Sequence, residues 1–188
     1  MSLKKAAAQT GRKIQLLEGL GGGDLRSLRN VESTVQQVLK SPSLLGDLVD
    51  GLLGHPDPVV RARAADALEK ATRGQPQLLA GFKGQILAAA TRVSQQEVRW
   101  HLAQLFSRLI LTSREQDLIF DVLLEFLADQ SRIVRTFSMQ ALADLAESAP
   151  RFRPRVTVLL QQLTATGSPA MKARGHKLLK RMARQDQK

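Results

Sequence analysis

At 188 residues with 43% apolar content, the chain is long enough to bury a real core, and the absence of cysteine excludes a disulfide framework and thiolate chemistry. Aromatics make up only 4%, with no tyrosine, and an apolar fraction dominated by Ala, Leu and Val favours helices over strands. The net charge of +11 is concentrated at the ends: residues 149–188 carry 10 basic residues against 1 acidic, whereas 93–148 carry 5 against 8.

In chain order, "MSLKKAAAQTGRK" lacks the apolar centre of a signal peptide, and no apolar run approaches the roughly 20 residues of a membrane span, so a cytoplasmic location and no membrane partner are expected. Residues 1–24 read as an N-terminal helix followed by a Gly-rich hinge. "GLGGGD", Gly19 to Asp24, invites a phosphate-loop reading, but helical patterns flank it and no Lys-Ser/Thr follows. "LRSLRNVESTVQQVLK", 25–40, reads as a partial capping repeat.

Four segments then repeat one another: "PVVRARAADALEKA" from Pro58, "EVRWHLAQLFSRL" from Glu97, "IVRTFSMQALADLA" from Ile133 and "AMKARGHKLLKRM" from Ala170. Each carries an apolar residue followed by a base: Val60-Arg61, Val98-Arg99, Val134-Arg135 and Met171-Lys172. Counted from the base, positions −1, +3, +4, +7 and +10 are mostly apolar or small, His176 excepted, and share one helical face. A second helical pattern precedes each segment, with breakers between: Ser41-Pro42, Pro56-Asp57-Pro58, Gly74-Gln75-Pro76, Thr112-Ser113 and Gly167-Ser168-Pro169. Helix pairs therefore recur over about 41–73, 75–111, 114–148 and 149–183, within a repeat domain at 25–184 and ahead of a tail at 185–188.

On the stretches "DPVVRARAADALEKA" and "DQSRIVRTFSMQALADLA" the chain resembles the HEAT repeat family, over about 41–183. The resemblance implies an all-α fold, a right-handed α-α superhelix or armadillo-like α-solenoid of about four helix pairs with N-terminal capping helices. It also implies a polar ladder in which an acid six residues before the base joins it. Asp129 fits that place before Arg135, while His55, Val93 and Thr166 stand before the other bases.

Trp100, the only tryptophan, falls roughly 140° from the core-facing side of its helix. In a HEAT-like solenoid the second-helix row lines the concave face. Trp100, Gln104, Thr136, Phe137 and Gln140 then form a candidate groove for a protein or peptide, with Trp100 as an aromatic anchor; packing of Trp100 against a neighbouring helix is the alternative. Phe106, Phe120 and Phe126 take core positions. A second candidate surface is basic: Arg174, Lys177, Lys180, Arg181 and Arg184 on one side of the last helix, with Arg151, Arg153 and Arg155 before it. It reads either as a solvated terminal cap or as a phosphate-backbone surface. "RARAADALEKATR", with its alternating signs, reads as mostly an ordinary salt-bridged helix face.

No catalytic residue, metal site, cofactor or small-molecule substrate is expected. His55, His101 and His176 lie in three different repeats, without the paired His-Glu patterns of HEAT-like di-iron hydroxylases. His101 reads as a bystander. The expected function is a non-catalytic scaffold or adaptor. The alternative is a nucleic-acid-binding solenoid, with a DNA glycosylase-like role more remote, because that chemistry needs several aromatics around an extruded base.

Overall fold

The computed structural model describes residues 11, 13, 15–25, 27 and 30–185, so the start of the expected N-terminal helix and most of the expected tail lie outside the described residues. Among the described residues the chain is helical throughout and contains no strand, and no helix is long and apolar enough to cross a membrane. It divides into two compact units, Met1–His101 and Leu102–Lys188.

In the first unit a helical stretch at 15–19 leads into the Gly-rich turn and then α1 (Val31–Lys40). A 3-10 turn at Pro42–Leu44 introduces α2 (Leu45–Gly54) and α3 (Pro58–Thr72). A second 3-10 segment, Pro76–Phe82, introduces α4 (Lys83–Ala90), and α5 (Gln96–Phe106) carries the division between units. Helix α3 starts where Pro58 needs no N–H partner and where the Asp57 carboxylate accepts from the Val59 N–H at 2.8 Å. It packs against α1 and α2. Its apolar residues Val60, Ala64, Ala65, Leu68 and Ala71 are buried, at the positions that the repeat pattern marks as core-facing. Gly51 of α2 permits this approach: a Cβ there would lie 2.6 Å from Leu17 Cδ2 and 3.3 Å from Ala64 Cβ.

In the second unit α6 (Ser113–Leu127) opens with a reciprocal cap between Thr112 and Glu115, and α7 (Arg132–Ser148) with the Ser131 hydroxyl. A 3-10 turn at Pro150–Phe152 leads to α8 (Arg153–Thr166) and α9 (Pro169–Gln185). Helix α7 packs against α6, α8 and α9, and α8 against α9. Val134, Ser138, Met139, Leu142 and Leu145 form the buried side of α7. Phe120 and Phe126 are buried, and the Phe120 and Phe152 rings stack at 4.6 Å.

Helix α9 departs from the expected register. Its buried residues are Met171, Gly175, Leu178 and Met182, while Leu179 is half-buried and His176 exposed. The absence of a side chain at Gly175 permits a close approach to α8, since a Cβ there would stand 1.9 Å from Thr164 Oγ1.

Candidate functional site

The charged run "RARAADALEKATR" is salt-bridged at Asp66–Lys70 and Glu69–Arg73, but much of it is buried. Arg63, Asp66 and Glu69 are buried, at 3%, 8% and 2% exposure, and burying charge is costly unless it is compensated. Each has its own compensation.

Arg63 reaches the Gly-rich turn. Its guanidinium donates to the carbonyls of Leu20 (2.6 Å), Gly21 (3.2 Å), Gly22 (2.7 Å), Asp24 (3.0 Å) and Ser27 (2.9 Å). Gly22 and Gly23 hold φ of 73° and 75°, the left-handed conformation that curls the carbonyls inward. A phosphate loop turns N–H groups onto an anion, whereas this loop turns C=O groups onto a cation. The segment expected as a hinge is thus an ordered turn, tied to α3 by a buried side chain.

Arg61 occupies the ladder position. It donates to the His55 carbonyl at 2.7 Å, six residues back, and to Gln95 Oε1 at 2.8 Å in the following repeat. Gln95 Nε2 in turn donates to the Pro58 carbonyl at 2.8 Å. Arg99 donates to the Val93 carbonyl, again six residues back, at 2.8 Å. The backbone carbonyl accepts at these two positions, so the ladder does not need an acid there. Asp129 Oδ1 accepts from the Ser131 N–H at 2.8 Å, and Arg135 Nε is buried without a hydrogen-bond partner among the described residues.

The remaining α3 charges meet His101. Lys70 Nζ lies 2.9 Å from Asp66 Oδ2, and Arg73 grips Glu69 from one turn on, at 2.7 and 3.3 Å. The Glu69 contact raises the Arg73 pKa. One ligating atom from each of Asp66, Glu69 and His101 lies within 4.8 Å of the other two. Nδ1 of His101 is buried and has no hydrogen-bond partner among the described residues. Burial pushes the imidazole down to about 4, against the upward pull of Asp66, Glu69 and Glu97, with Lys70 also pushing it down. The ring is therefore neutral at pH 7. Trp100 is half-buried, its ring centroid 5.6 Å from that of His101 at a 58° tilt. The tryptophan read either as an outward anchor or as packed against a neighbour is partly enclosed, beside the histidine expected as a bystander.

The second unit holds the other four groove candidates. Gln104, Phe137 and Gln140 line a cavity of about 340 Å³ with Arg108, Asp144, Arg174 and Arg181. Gln140 bridges the site: its Oε1 accepts from Arg174 at 2.7 Å and its Nε2 donates to Asp144 at 2.8 Å. The Arg174 guanidinium lies 5.9 Å from the centre of the half-buried Phe137 ring. Thr136 does not line this cavity, and its hydroxyl donates to the Arg132 carbonyl at 2.7 Å.

The basic candidates divide between engaged and exposed groups. Arg181 pairs with Asp144 (2.7 Å) and Glu147 (2.6 Å), and Arg151 with Asp117 (2.8 Å). Arg153 donates to the Met182 carbonyl, and Arg155 lies 4.9 Å over the Phe120 ring. Lys177, Lys180 and Arg184 are exposed along one side of α9 and make no ion pair among the described residues.

Sequence reading missed Asp66, Glu69 and His101 as a group. One signal was present: position +5 of one repeat meets position +2 of the next. Asp66 and His101 hold those places in the first unit; Gln140 and Arg174 hold them in the second. No family model, curated protein or solved structure matches the chain.

Proposed function

We propose that the chain is a HEAT-like α-solenoid that serves as a non-catalytic adaptor, binding an acidic peptide segment of a protein partner along its second-helix row. The repeat spacing supports this architecture, as do the contacts of α7 with both α6 and α9. The observation that carries the function is the cavity beside Phe137. It offers one aromatic face, two amides and three guanidinium groups against the single carboxylate of Asp144. Such a lining suits a peptide carboxylate flanked by an apolar side chain, with Arg174 and Gln140 supplying planar donors.

Panning the full chain against a displayed random-peptide library tests the proposal. Acid-rich peptides are expected to be enriched, with affinity falling about tenfold or more in Phe137→Ala and Arg174→Ala. An unenriched library, or selected peptides indifferent to both substitutions, ends this reading.

The alternative reading, nucleic-acid binding, is supported by Lys177, Lys180 and Arg184, which share one exposed stripe of α9. Anisotropy of a short labelled DNA duplex at low and near-physiological salt separates the two. Binding that persists at the higher salt and disappears when the three residues become Glu moves the function to nucleic acid.

A further inference from the structure

We propose that Asp66, Glu69 and His101 form a binding site for one divalent transition-metal ion, with zinc the best match to the donors. This site lies within the first unit and is independent of the peptide groove.

Three features converge on it. Asp66 and Glu69 are three residues apart on α3, which places both carboxylates on the same side of one turn. His101 comes from α5, so the donors belong to two helices and do not simply line one surface. The three ligating atoms already lie within 4.8 Å of one another. Zinc bonds of roughly 2.0–2.2 Å bring such donors to a little over 3 Å apart, a closure that side-chain rotation supplies.

The donor set selects the ion. One imidazole nitrogen and two carboxylates suit zinc or a neighbouring transition metal, whereas magnesium and calcium want six or more oxygens. The buried, unpartnered Nδ1 of His101 is what an unmet ligand position looks like, since buried polar atoms are nearly always bonded.

The ion pairs within the cluster are compatible with this. Lys70 contacts Oδ2 of Asp66, leaving Oδ1 to turn toward a metal. The Arg73 side chain is 65% exposed, so its guanidinium can swing into solvent as an ion takes over compensation of the buried Glu69 carboxylate. Three protein donors leave a fourth tetrahedral position for water or for a group on a partner.

The test titrates the full chain with zinc chloride at neutral pH, by calorimetry and by emission of Trp100, which reports on the site because its ring lies against that of His101. One saturable site with a change in Trp100 emission is expected, weakened at least about tenfold by each of Asp66→Asn, Glu69→Gln and His101→Gln. His176→Gln leaves it unchanged, because His176 is exposed on α9. Calcium and magnesium produce no such change.

A second measurement needs no variant. Zinc shifts the ring-nitrogen resonances of His101 and leaves those of His55 and His176 in place. Absence of saturable binding overturns the proposal, as does undiminished binding in His101→Gln or a shift confined to His55 or His176. Any of these leaves the cluster as a structural ion-pair network.

Discussion

The two units make the same contact between successive repeats and finish it differently. In the first, position +5 is Asp66 and position +2 of the next repeat is His101; Asp66 and Glu69 lie below a tenth exposure, with the imidazole against them. In the second, the corresponding pair is Gln140 and Arg174, and both remain half-buried beside an open cavity. One crossing thus yields a sealed polar cluster or an accessible groove, according to whether the neighbouring side chains cover it. A largely buried polar cluster is costly and intolerant of truncation, whereas an accessible one contributes little to stability and leaves room for a peptide.

The sharpest way to break this comparison is at Arg63, the most heavily bonded side chain of the sealed edge. Arg63→Met removes the donor to five carbonyls of the Gly-rich turn, the Leu20 carbonyl among them in a buried bond. Chemical denaturation is expected to show a loss of about 3 kcal/mol or more. A loss under about 1 kcal/mol would mean that the turn re-forms without its cation, and that the first unit is no more committed than the second.

The next test uses acid. The His101 pKa falls from its ordinary 6.5 to about 4 in the folded protein, so between those values the unfolded chain binds the extra proton. Stability from this group is complete above about pH 6.5 and drains away as pH falls toward 4. Its size is about 2 kcal/mol once screening at the ring's solvent-facing edge is allowed for. His101→Gln should flatten that part of the pH–stability curve, while His176→Gln leaves it unchanged. An equal slope in wild type and His101→Gln would show that the cluster is not sealed.

Gly175 tests the second unit's packing rather than its charges. A methyl group there meets the Thr164 hydroxyl at 1.9 Å and the Met139 methyl at 3.2 Å. Gly175→Ala is expected to cost about 1–2 kcal/mol, with overpacking exceeding the gain in helix propensity. Adding Thr164→Ala should recover most of that loss. If Gly175→Ala stabilises the protein, α8 and α9 have room to separate.

These sites were unequally legible in the sequence. The helices were readable because an apolar residue followed by a base recurs with apolar and small residues at fixed offsets, and because Pro58, Thr112 and Ser131 mark helix starts locally. The polar edge of α3 was not. Alternating charges look solvated in a linear reading, and what buries Arg63 is a turn about forty residues earlier. What meets Asp66 is a histidine in the next repeat. Charge alternation reports a helix's chemistry and not its cover. In α9 the repeat offset points to Leu179, while the side opposite the basic residues points to Met171, Leu178 and Met182, and the latter are the buried ones.

The smallest expected stability effect is at Arg181, and it sharpens the contrast most directly. Arg181 pairs with both Asp144 and Glu147, but its side chain is 37% exposed, so much of the attraction is screened by water. Arg181→Ala should cost under about 1 kcal/mol by denaturation, and added salt should reduce the difference further. The same substitution leaves Asp144 facing the cavity with less compensation, which makes the groove less hospitable to an acidic peptide. A variant that unfolds nearly as wild type does but binds selected acidic peptides several-fold more weakly identifies this edge as a recognition surface. A stability loss as large as that of Arg63→Met would erase the distinction, because both edges would then be structural networks that differ only in exposure.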